Sequence, residues 1–286
     1  MRVAVTGSHG FIGSALVPAL ERDGHEVVRV RRDANGDLDS GQLFGTDAVI
    51  HLAGEGVAGK RWTPEQKQRV LRSRTEGTTL VAQTIAGLAR KPQVLLSGSA
   101  VGYYGDRGDE VLTEESSAGS GFLADVCVQW EAATASAEEA GIRVAHLRTG
   151  IVVGKSGGAV AKTLPLFKLG LGGRIGSGTQ YWSWISLTDE IGAIRFLLDH
   201  EVAGPVNLTG PEPVTNAEFT KAVGRALHRP TVVPVPKFGP RLLLGREAAE
   251  EVVSFSQRVK PVVLAREGYH FAHETVDEAT RAELGK

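Results

Sequence analysis

The chain has 286 residues, of which 42% are hydrophobic and 23% are charged, and these values predict an ordinary folded protein with a buried core. Its formal net charge of −1 gives no reason to expect binding to nucleic acid or to an anionic membrane. The single cysteine, Cys127, excludes an intrachain disulfide and a cysteine metal cluster. The chain starts directly in a strand pattern and has no apolar run of the roughly 18 residues that a membrane helix needs, so we expect a cytoplasmic protein without a signal peptide.

A glycine-rich turn follows the first predicted strand. The apolar run 3–6 leads directly into GSHGFIG at 7–13, which is typical of a strand, a tight turn and the start of a helix. Glycines at this spacing permit the turn, the approach of backbone N–H groups to a pyrophosphate and close packing of the helix on the strand. The segment therefore predicts a dinucleotide site that includes Gly7, Ser8, Gly10, Phe11, Ile12 and Gly13.

The end of the second predicted strand, 26–30, indicates which dinucleotide would bind. An NAD site usually has an Asp or Glu there, which holds the ribose 2′-hydroxyl, but this chain has Arg31 and Arg32. A guanidinium group can donate two hydrogen bonds to the 2′-phosphate of NADP. We therefore predict NADP as the cofactor, with NADPH preferred over NADH. The alternative is a solvated, basic strand end.

Short apolar strands and longer helices alternate along the first half of the chain. After the second strand, the pattern predicts strands at 48–52, 94–96 and 143–148 and helices at about 64–89 and 122–140. Such alternation is typical of right-handed βαβ units. We therefore predict an α/β fold with a doubly wound parallel sheet, a Rossmann fold, in which ligands bind beyond the carboxyl ends of the strands.

The sequence changes in character beyond residue 154. A glycine-rich stretch at 168–178 precedes a predicted helix at about 190–198 and a strand at 205–209, and prolines interrupt the last 75 or so residues. We expect residues 1–154 to form an NADP-binding Rossmann domain and residues 155–286 to form a smaller C-terminal substrate or cap domain. Strands near 185–210 are expected to return to the first domain, and the strand at 205–209 to its sheet.

Several segments resemble the extended short-chain dehydrogenase/reductase superfamily of NAD(P)-dependent epimerases and dehydratases. The resemblance covers nearly the whole chain and rests on TGSHGFIG at 6–13, HLAGE at 51–55, SGSAVGYYG at 97–105, RTGIVVG at 148–154 and GSGTQ at 176–180. Other segments are similar to an atypical subgroup that is described as nucleotide-sugar epimerases and is sometimes mislabelled as cell-division inhibitors: GVAGKRW at 56–62, LRSRTEGT at 71–78, FLADVCVQWEAA at 122–133 and FKLGLGGRIGSGTQYWSWI at 167–185.

The resemblance also implies where the reaction would occur. Members of the superfamily use a serine together with a Tyr-x-x-x-Lys pair, in which the lysine lowers the pKa of the tyrosine. Alignment on Glu131 places Leu123 and Cys127 at the positions of this pair, and neither residue can replace it. The predicted catalytic residues are therefore the remaining hydroxyl groups nearby, those of Ser99, Tyr103 and Tyr104.

Further cofactor contacts follow from the same segments. Small residues after the third strand are expected to border the adenine and ribose, and the resemblance implies that Arg74 helps to hold the phosphates and that Val152 borders the nicotinamide. A surface ion pair is the alternative role of Arg74. With Ser97, the remaining predicted cofactor-binding residues are Leu52, Ala53, Gly54 and Glu55.

Two tryptophans mark the predicted substrate side. In sugar-nucleotide epimerases, the stretch after a segment like GSGTQ carries an arginine that grips the substrate pyrophosphate, whereas this chain has Trp182 and Trp184 there. Aromatic faces suit sugar rings and flat apolar ligands. We predict both tryptophans as substrate contacts. No metal site is predicted, because His270 and His273 lack a third ligand.

Two functions stay open at this point. One is an NADP-dependent oxidoreductase or epimerase that acts on an unknown small, sugar-like molecule. The other is a non-catalytic NADP(H)-binding redox sensor or scaffold, which the missing Tyr/Lys pair favours. The sequence does not give the substrate, the direction of hydride transfer or the oligomeric state.

Overall fold

The computed structural model describes residues 1–31, 39–57, 60–236 and 238–285. Its strands are β1 Arg2–Thr6, β2 Glu26–Arg29, β3 Ala48–His51, β4 Val94–Ala100, β5 Val111–Leu112, β6 Arg143–Thr149, β7 Ile151–Val153, β8 Tyr181–Trp182, β9 Trp184–Ser186, β10 Gly204–Leu208, β11 Val214–Thr215 and β12 Arg258–Val259. Its helices are α1 Phe11–Arg22, α2 Pro64–Ala86, α3 Phe122–Ala132, α4 Ala135–Glu139, α5 Gly158–Lys168, α6 Leu187–Asp199, α7 Asn216–Ala226, α8 Phe238–Leu244, α9 Arg246–Ala249, α10 Val262–Arg266 and α11 Val276–Leu284.

A six-stranded parallel sheet forms the centre of the fold. Its strand order is β10-β6-β4-β3-β1-β2. The chain crosses from β2, on one side of β1, to β3 on the other side, so the order reverses at β1. Clefts for ligands form outside the carboxyl ends of the strands at such a reversal. The predicted Rossmann fold is confirmed.

Helices cover the sheet on both faces because the strand residues are apolar on both sides. Val3 and Val5 pack with α1 and α6 on one face, whereas Ala4 packs with α2 and α4 on the other. Every one of these three residues is fully buried. Parallel strands that are buried on both faces are expected to be apolar along their whole length, which is the pattern the sequence has.

The helix predicted over 122–140 is in fact two helices, and the break has a local cause. The Thr134 hydroxyl donates to the Glu131 carbonyl at 2.8 Å, which competes with the helical hydrogen bonds at the end of α3. The second helix, α4, begins at Ala135. The helix predicted at about 190–198 begins earlier, at Leu187, because the Ser186 side chain accepts a hydrogen bond from the Asp189 N–H and caps it.

The strands near residues 185–210 belong to two different sheets. β10 pairs with β6 in the central sheet, as expected for a returning strand. β9 instead pairs with β7, at 151–153, in a two-stranded sheet beside the central one. Behind β9, Trp184 packs with Phe219 of α7 and Val276 of α11 in a separate apolar cluster. The boundary between the two predicted domains stays a prediction.

Asp189 joins the C-terminal segment to the start of α6. Its carboxylate accepts hydrogen bonds from the Ala272 N–H at 2.7 Å, the His273 N–H at 3.1 Å and the Tyr269 hydroxyl at 3.2 Å. Its position in the first turn of α6 also favours the negative charge.

Within the described residues, no helix combines the length and apolar character needed to cross a membrane.

The neighbouring carboxyl group, Glu190, is fully buried. Its Oε1 accepts a hydrogen bond from the Thr149 hydroxyl at 2.9 Å, and its Oε2 has no hydrogen-bond partner among the described residues. Burial raises the pKa of Glu190 to about 8, and the Thr149 hydrogen bond opposes the rise only in part. The folded state therefore favours the protonated acid.

Replacing Glu190 should consequently change how stability depends on pH. Because the folded-state pKa lies above the ordinary value of 4.5, the free energy of unfolding should fall as pH rises from about 4.5 to about 8. Glu190→Gln removes this titration. The difference between its free energy of unfolding and that of the wild type should therefore increase by roughly 2–4 kcal/mol from pH 5 to pH 8. Urea unfolding at both pH values measures the difference. The exposed-site control Glu115→Gln should follow the wild type, and parallel pH profiles for Glu190→Gln and wild type would contradict the assignment.

Candidate functional site

The turn between β1 and α1 has the geometry of a phosphate-binding loop. Gly7 has a φ of +69°, and a Cβ there would lie 2.8 Å from the Ala53 backbone nitrogen, so only glycine fits this position. Gly10 is the N-cap of α1 and no side chain caps the helix, which leaves the backbone N–H groups of its first turn available to an anion. A Cβ on Gly13 would meet the Ser8 Cα at 2.9 Å. Ser8 itself is buried.

The two apolar residues that follow Gly10, Phe11 and Ile12, pack against the core rather than toward the proposed phosphate site. Phe11 and Ile12 lie against the core cluster that includes α6. The Phe11 ring also lies close beneath Gly154, Gly157 and Gly158. Phe11 thus connects the first turn to the segment after β7, where a dinucleotide would continue along the sheet edge.

α2 holds the loop after β3 in place. Arg74 Nη1 donates to the Glu55 carbonyl at 2.9 Å, and the Ser73 hydroxyl accepts from the Glu55 N–H at 3.0 Å. The Arg74 guanidinium also lies 4.8 Å from the centre of the Trp130 ring. Leu52, Ala53 and Gly54 form the loop, and a Cβ on Gly54 would lie 3.5 Å from Arg74. Arg74 therefore supports the loop that the predicted cofactor would touch, rather than forming a surface ion pair.

Of the two arginines that predict NADP, the structure describes one. Arg31 lies two residues beyond the end of β2 and is exposed, and its backbone N–H donates to the Gln42 side chain at 2.9 Å. Its side chain is thus near the carboxyl end of β2, next to β1 in the sheet. Arg32 lies outside the described residues. The assignment of both to a 2′-phosphate stays a prediction.

A buried ion pair forms the centre of the predicted reaction site. Arg148, at the end of β6, donates from Nε and Nη2 to the two carboxylate oxygens of Glu131 on α3, both at 2.8 Å. The Ser99 hydroxyl donates to the same carboxylate at 2.7 Å. Arg148 is only 3% exposed and Ser99 only 5%. Burial lowers the pKa of the guanidinium, but the hydrogen bonds and charge interactions with Glu131 and Tyr104 together outweigh that effect and raise it.

The two predicted tyrosines both contact Arg148, in different ways. Its guanidinium carbon lies 3.5 Å from the centre of the Tyr103 ring. Its Nη1 donates to the Tyr104 hydroxyl at 3.0 Å, and that hydroxyl donates to Asn207 Oδ1 at 2.7 Å. Burial raises the pKa of Tyr104 to about 12, although Arg148 opposes the rise. Tyr104 has no exposed surface, whereas Tyr103 is half-buried, so the geometry favours Tyr103 over Tyr104 as a group that meets a ligand.

Leu123 and Cys127 face this cluster from α3. A Cβ on Gly102 would lie 3.4 Å from Leu123 Cβ and 3.8 Å from Cys127 Sγ. Leu123 and Cys127, which the alignment on Glu131 placed at the Tyr/Lys positions, therefore lie on the side of α3 that faces residues 99–104, the hydroxyl-bearing segment. Burial raises the pKa of the Cys127 thiol to about 12, and Glu131 adds to the rise, so the thiol is protonated at neutral pH and is a poor nucleophile.

The predicted substrate tryptophans are in different environments. Trp184 is 1% exposed, its Nε1 donates to the Glu212 carbonyl at 2.8 Å, and a Cβ on Gly210 would lie 2.8 Å from its ring. This placement gives Trp184 a packing role in the core. Trp182 is half-buried and donates to the Val253 carbonyl at 3.3 Å, so Trp182 alone stays a predicted substrate contact.

The remaining predicted residues lie along the carboxyl edge of the sheet. Ser97 in β4 is fully buried, and its hydroxyl has no hydrogen-bond partner among the described residues. Val152 in β7 is 8% exposed and lies three residues beyond the end of β6. Across the described parts of the chain, no cluster of three or more His, Cys, Asp or Glu side chains could hold a metal ion.

The main feature that the sequence did not reveal is the Glu131–Arg148 pair. Arg148 ends an apolar strand, where a charged residue is uncommon, and this placement is the available indication of a buried partner. The partner lies on another element, 17 residues earlier, so neither helical nor strand periodicity identifies it.

Comparison with known proteins agrees with the geometry. The model of the NAD dependent epimerase/dehydratase family matches residues 3–209, and that of a domain of unknown function, DUF1731, matches residues 235–283. The chain is 45% identical to the epimerase family protein Mb2239 of Mycobacterium bovis, over 97% of this chain and 95% of that protein.

Solved structures extend the comparison to the whole fold. The structure of the human epimerase family protein SDR39U1 (isoform 2) with NADPH has a TM-score of 0.91 and 33% identity, and the match covers 99% of each chain. The Bacillus subtilis protein YfhF is 33% identical over 98% of this chain and 96% of its own length. The chain therefore belongs to the NAD dependent epimerase/dehydratase family.

Proposed function

We propose that this protein is an NADPH-dependent oxidoreductase of the short-chain dehydrogenase type that reduces a carbonyl group on a small, sugar-like substrate. The observation that carries the proposal is the cluster of Ser99, Glu131, Arg148 and Tyr103 at the carboxyl ends of β4 and β6. In a parallel sheet of this topology, the nicotinamide end of a dinucleotide would lie at this edge.

The residues of the first turn fit the proposed cofactor. The uncapped N-terminus of α1 offers N–H groups and the positive end of a helix dipole to a pyrophosphate. Arg31 supplies a guanidinium beyond β2 where a ribose phosphate would sit. The human relative with NADPH in its crystal structure supports the same choice of cofactor.

Arg148 supplies the fixed positive charge that the superfamily takes from a lysine. When bound, the nicotinamide would supply hydride to the carbonyl carbon. Ser99 would hold the carbonyl oxygen, and the Tyr103 hydroxyl would donate the proton that this oxygen needs. The guanidinium over the Tyr103 ring stabilises the negative charge left on the phenol oxygen. Arg148 and Glu131 are then positioning residues, since neither needs to touch the substrate.

This arrangement favours reduction over oxidation at neutral pH. A tyrosine keeps its proton at neutral pH, since its ordinary pKa is about 10, and so it serves more easily as an acid than as a base. Tyr104 is held more firmly in the protonated state, because burial raises its pKa to about 12. We expect the rate of alcohol oxidation to rise toward high pH.

The second candidate function is a non-catalytic sensor or scaffold that binds NADP(H), and the contacts of the hydroxyl groups support it. The Ser99 hydroxyl already donates to Glu131, Tyr104 has no exposed surface, and Leu123 and Cys127 replace the superfamily's Tyr/Lys pair. A protein that binds NADP(H) as a sensor or scaffold would need no proton donor. NADPH oxidation measured against a panel of aldehydes, ketones and oxidised sugars distinguishes this function from a reductase.

Cofactor preference is the first expected outcome. Arg31→Ala should weaken NADPH binding by about tenfold or more and leave NADH binding almost unchanged, because a charge-assisted hydrogen bond is worth about 1.5–3 kcal/mol. Calorimetric titration with both cofactors measures the ratio. The control Arg72→Ala removes an exposed arginine on α2 that pairs with Glu76. Equal affinity of the wild type for NADH and NADPH would contradict the proposal.

The phosphate site is tested at Gly10. A Cβ there meets only the Gly7 carbonyl oxygen, at 3.1 Å, so Gly10→Ala should fold. The added methyl group would occupy the approach to the pyrophosphate, and NADPH affinity should fall by about tenfold or more. Gly87→Ala at the end of α2 is the matched control. Wild-type affinity in Gly10→Ala would mean that the phosphates bind elsewhere.

The chemical roles are tested with any carbonyl compound that the panel identifies. Ser99→Ala and Tyr103→Phe should each lower kcat by about 10²-fold with little change in NADPH affinity, because each removes a group that meets the carbonyl oxygen. Tyr104→Phe should have a smaller effect if Tyr103 is the donor. Arg148→Lys should keep part of the activity and shift the pH profile of kcat, whereas Arg148→Met should lose it.

The outcomes distinguish the candidate donors. A large loss in Tyr104→Phe with none in Tyr103→Phe would transfer the donor role to Tyr104. Unchanged turnover in all the hydroxyl variants would leave water as the donor and would contradict the assignment of these residues. No NADPH oxidation with the whole panel, together with tight NADPH binding, would favour the sensor or scaffold.

A further inference from the structure

The net charge of −1 conceals an uneven distribution of charge. Residues 155–188 and 219–246 contain ten Lys and Arg and no Asp or Glu. The remaining 22 of the 32 basic residues are therefore combined with all 33 acidic ones. Nine of the ten lie in the described residues and all nine are exposed: Lys155, Lys162, Lys168, Arg174, Lys221, Arg225, Arg229, Arg241 and Arg246.

Parts of these two segments lie side by side in the fold. The Val235 N–H donates to the Arg174 carbonyl at 2.8 Å, and the Gly176 N–H donates back to the Val235 carbonyl at 3.1 Å. Arg229 Nε donates to the Lys168 carbonyl at 2.8 Å. α8 begins at Phe238, close behind Val235. The end of α5, the strand-like segment 229–235 and α8 thus form one continuous region of the C-terminal part.

Large apolar side chains are concentrated on the same region. Of the 13 exposed large apolar residues among the described ones, seven lie here: Leu166, Leu169, Leu171, Val232, Val233, Phe238 and Leu242. The four most exposed of all 13 belong to this group, with Val232 82%, Leu242 75%, Leu169 73% and Phe238 70% exposed. Soluble monomers rarely expose apolar residues in such concentration unless they have a binding role.

We propose that this region, the basic apolar surface, docks onto an anionic lipid membrane. The seven apolar side chains would enter the boundary between headgroups and acyl chains, and Lys168 and Arg174 beside them would pair with anionic headgroups. Long basic side chains can lay their methylene groups along apolar surface while the charged ends reach the headgroups, which suits Lys168 and Arg174 beside the exposed leucines. A peripheral contact of this kind needs no spanning helix.

The charge distribution argues against the other occupants. A two-fold contact with a second copy would bring the same basic surface against itself, and the carboxylates beside it, Glu250 and Asp277, already pair with its own Arg241, Arg246 and Arg225. Nucleic acid would pair with the basic groups, but the exposed leucines and valines would stay in contact with water because they have no aromatic face on which a base could stack. A membrane with anionic headgroups satisfies both the charge and the apolar area.

The test is co-sedimentation of the full chain with lipid vesicles. Vesicles of phosphatidylcholine mixed with phosphatidylglycerol should retain the protein, and vesicles of phosphatidylcholine alone should retain at least about tenfold less, because each Lys or Arg near the surface strengthens binding to anionic lipid. Raising the salt concentration should reduce binding to the anionic vesicles. Equal retention by both kinds of vesicle, or none by either, would overturn the proposal.

Two pairs of variants separate the apolar and basic contributions. Leu169→Ser/Leu242→Ser and Lys168→Glu/Arg174→Glu should each reduce binding to anionic vesicles by about tenfold or more, with unchanged melting temperature and NADPH affinity. The controls Phe44→Ser/Leu80→Ser and Arg22→Glu/Lys91→Glu alter exposed residues outside the surface and should bind as the wild type does. If the serine variant fails to fold, the charge-reversal variant still decides the question.

Two further results would overturn the proposal in favour of another occupant. Light scattering that detects a dimer, which the Leu169→Ser/Leu242→Ser variant dissociates, would assign the surface to a second copy. Loss of vesicle binding in the control variants to the same degree would show that binding is not specific to this surface.

Discussion

The buried ion pair between Glu131 and Arg148 is the interaction on which the arrangement of the site depends. It fixes α3 against β6, and through Ser99 it holds the end of β4 in the same place. Removing one partner of such a pair would leave a buried charge without compensation, which typically costs about 3–5 kcal/mol. Both carboxylate oxygens of Glu131 accept hydrogen bonds from Arg148, so the carboxylate that the Ser99 hydroxyl contacts is held in a fixed position.

The same pair explains how the site can lack the lysine of its superfamily and still contain a fixed positive charge. In this chain the charge comes from a strand, where Arg148 is rigid and buried, instead of from α3, where Leu123 and Cys127 are apolar neighbours of the hydroxyl-bearing segment. A guanidinium that is held by two hydrogen bonds to one carboxylate cannot donate its proton, so its influence is electrostatic. In the proposed reaction the proton would come from a hydroxyl group or from water, and the partial exposure of Tyr103 and the burial of Tyr104 bear on that choice.

The sequence predicted what local pattern determines and missed what depends on contacts between distant elements. The turn at Gly7 was predictable because a positive φ and a close backbone approach leave glycine as the residue that fits. The alternation of strands and helices predicted the parallel sheet for a similar reason, since burial on both faces requires continuous apolar strands. Trp184 was predicted as a substrate contact from its neighbours in the chain, but its burial is determined by Gly210 and α7, which no local pattern places against it.

The C-terminal part is also coupled to the site by a direct contact. The Glu251 carboxylate, in a π-helical turn at Glu250–Ser254, accepts hydrogen bonds from the Phe122 N–H at 2.8 Å and the Leu123 N–H at 2.7 Å. These N–H groups start α3, at the position where the superfamily has its tyrosine, and a carboxylate there is favoured by the helix dipole. α9 leads directly into this turn, and α8, which belongs to the basic apolar surface, precedes it in the chain. Glu251 thereby links the C-terminal part to the first turn of α3, the helix that carries Leu123 and Glu131 beside the candidate site.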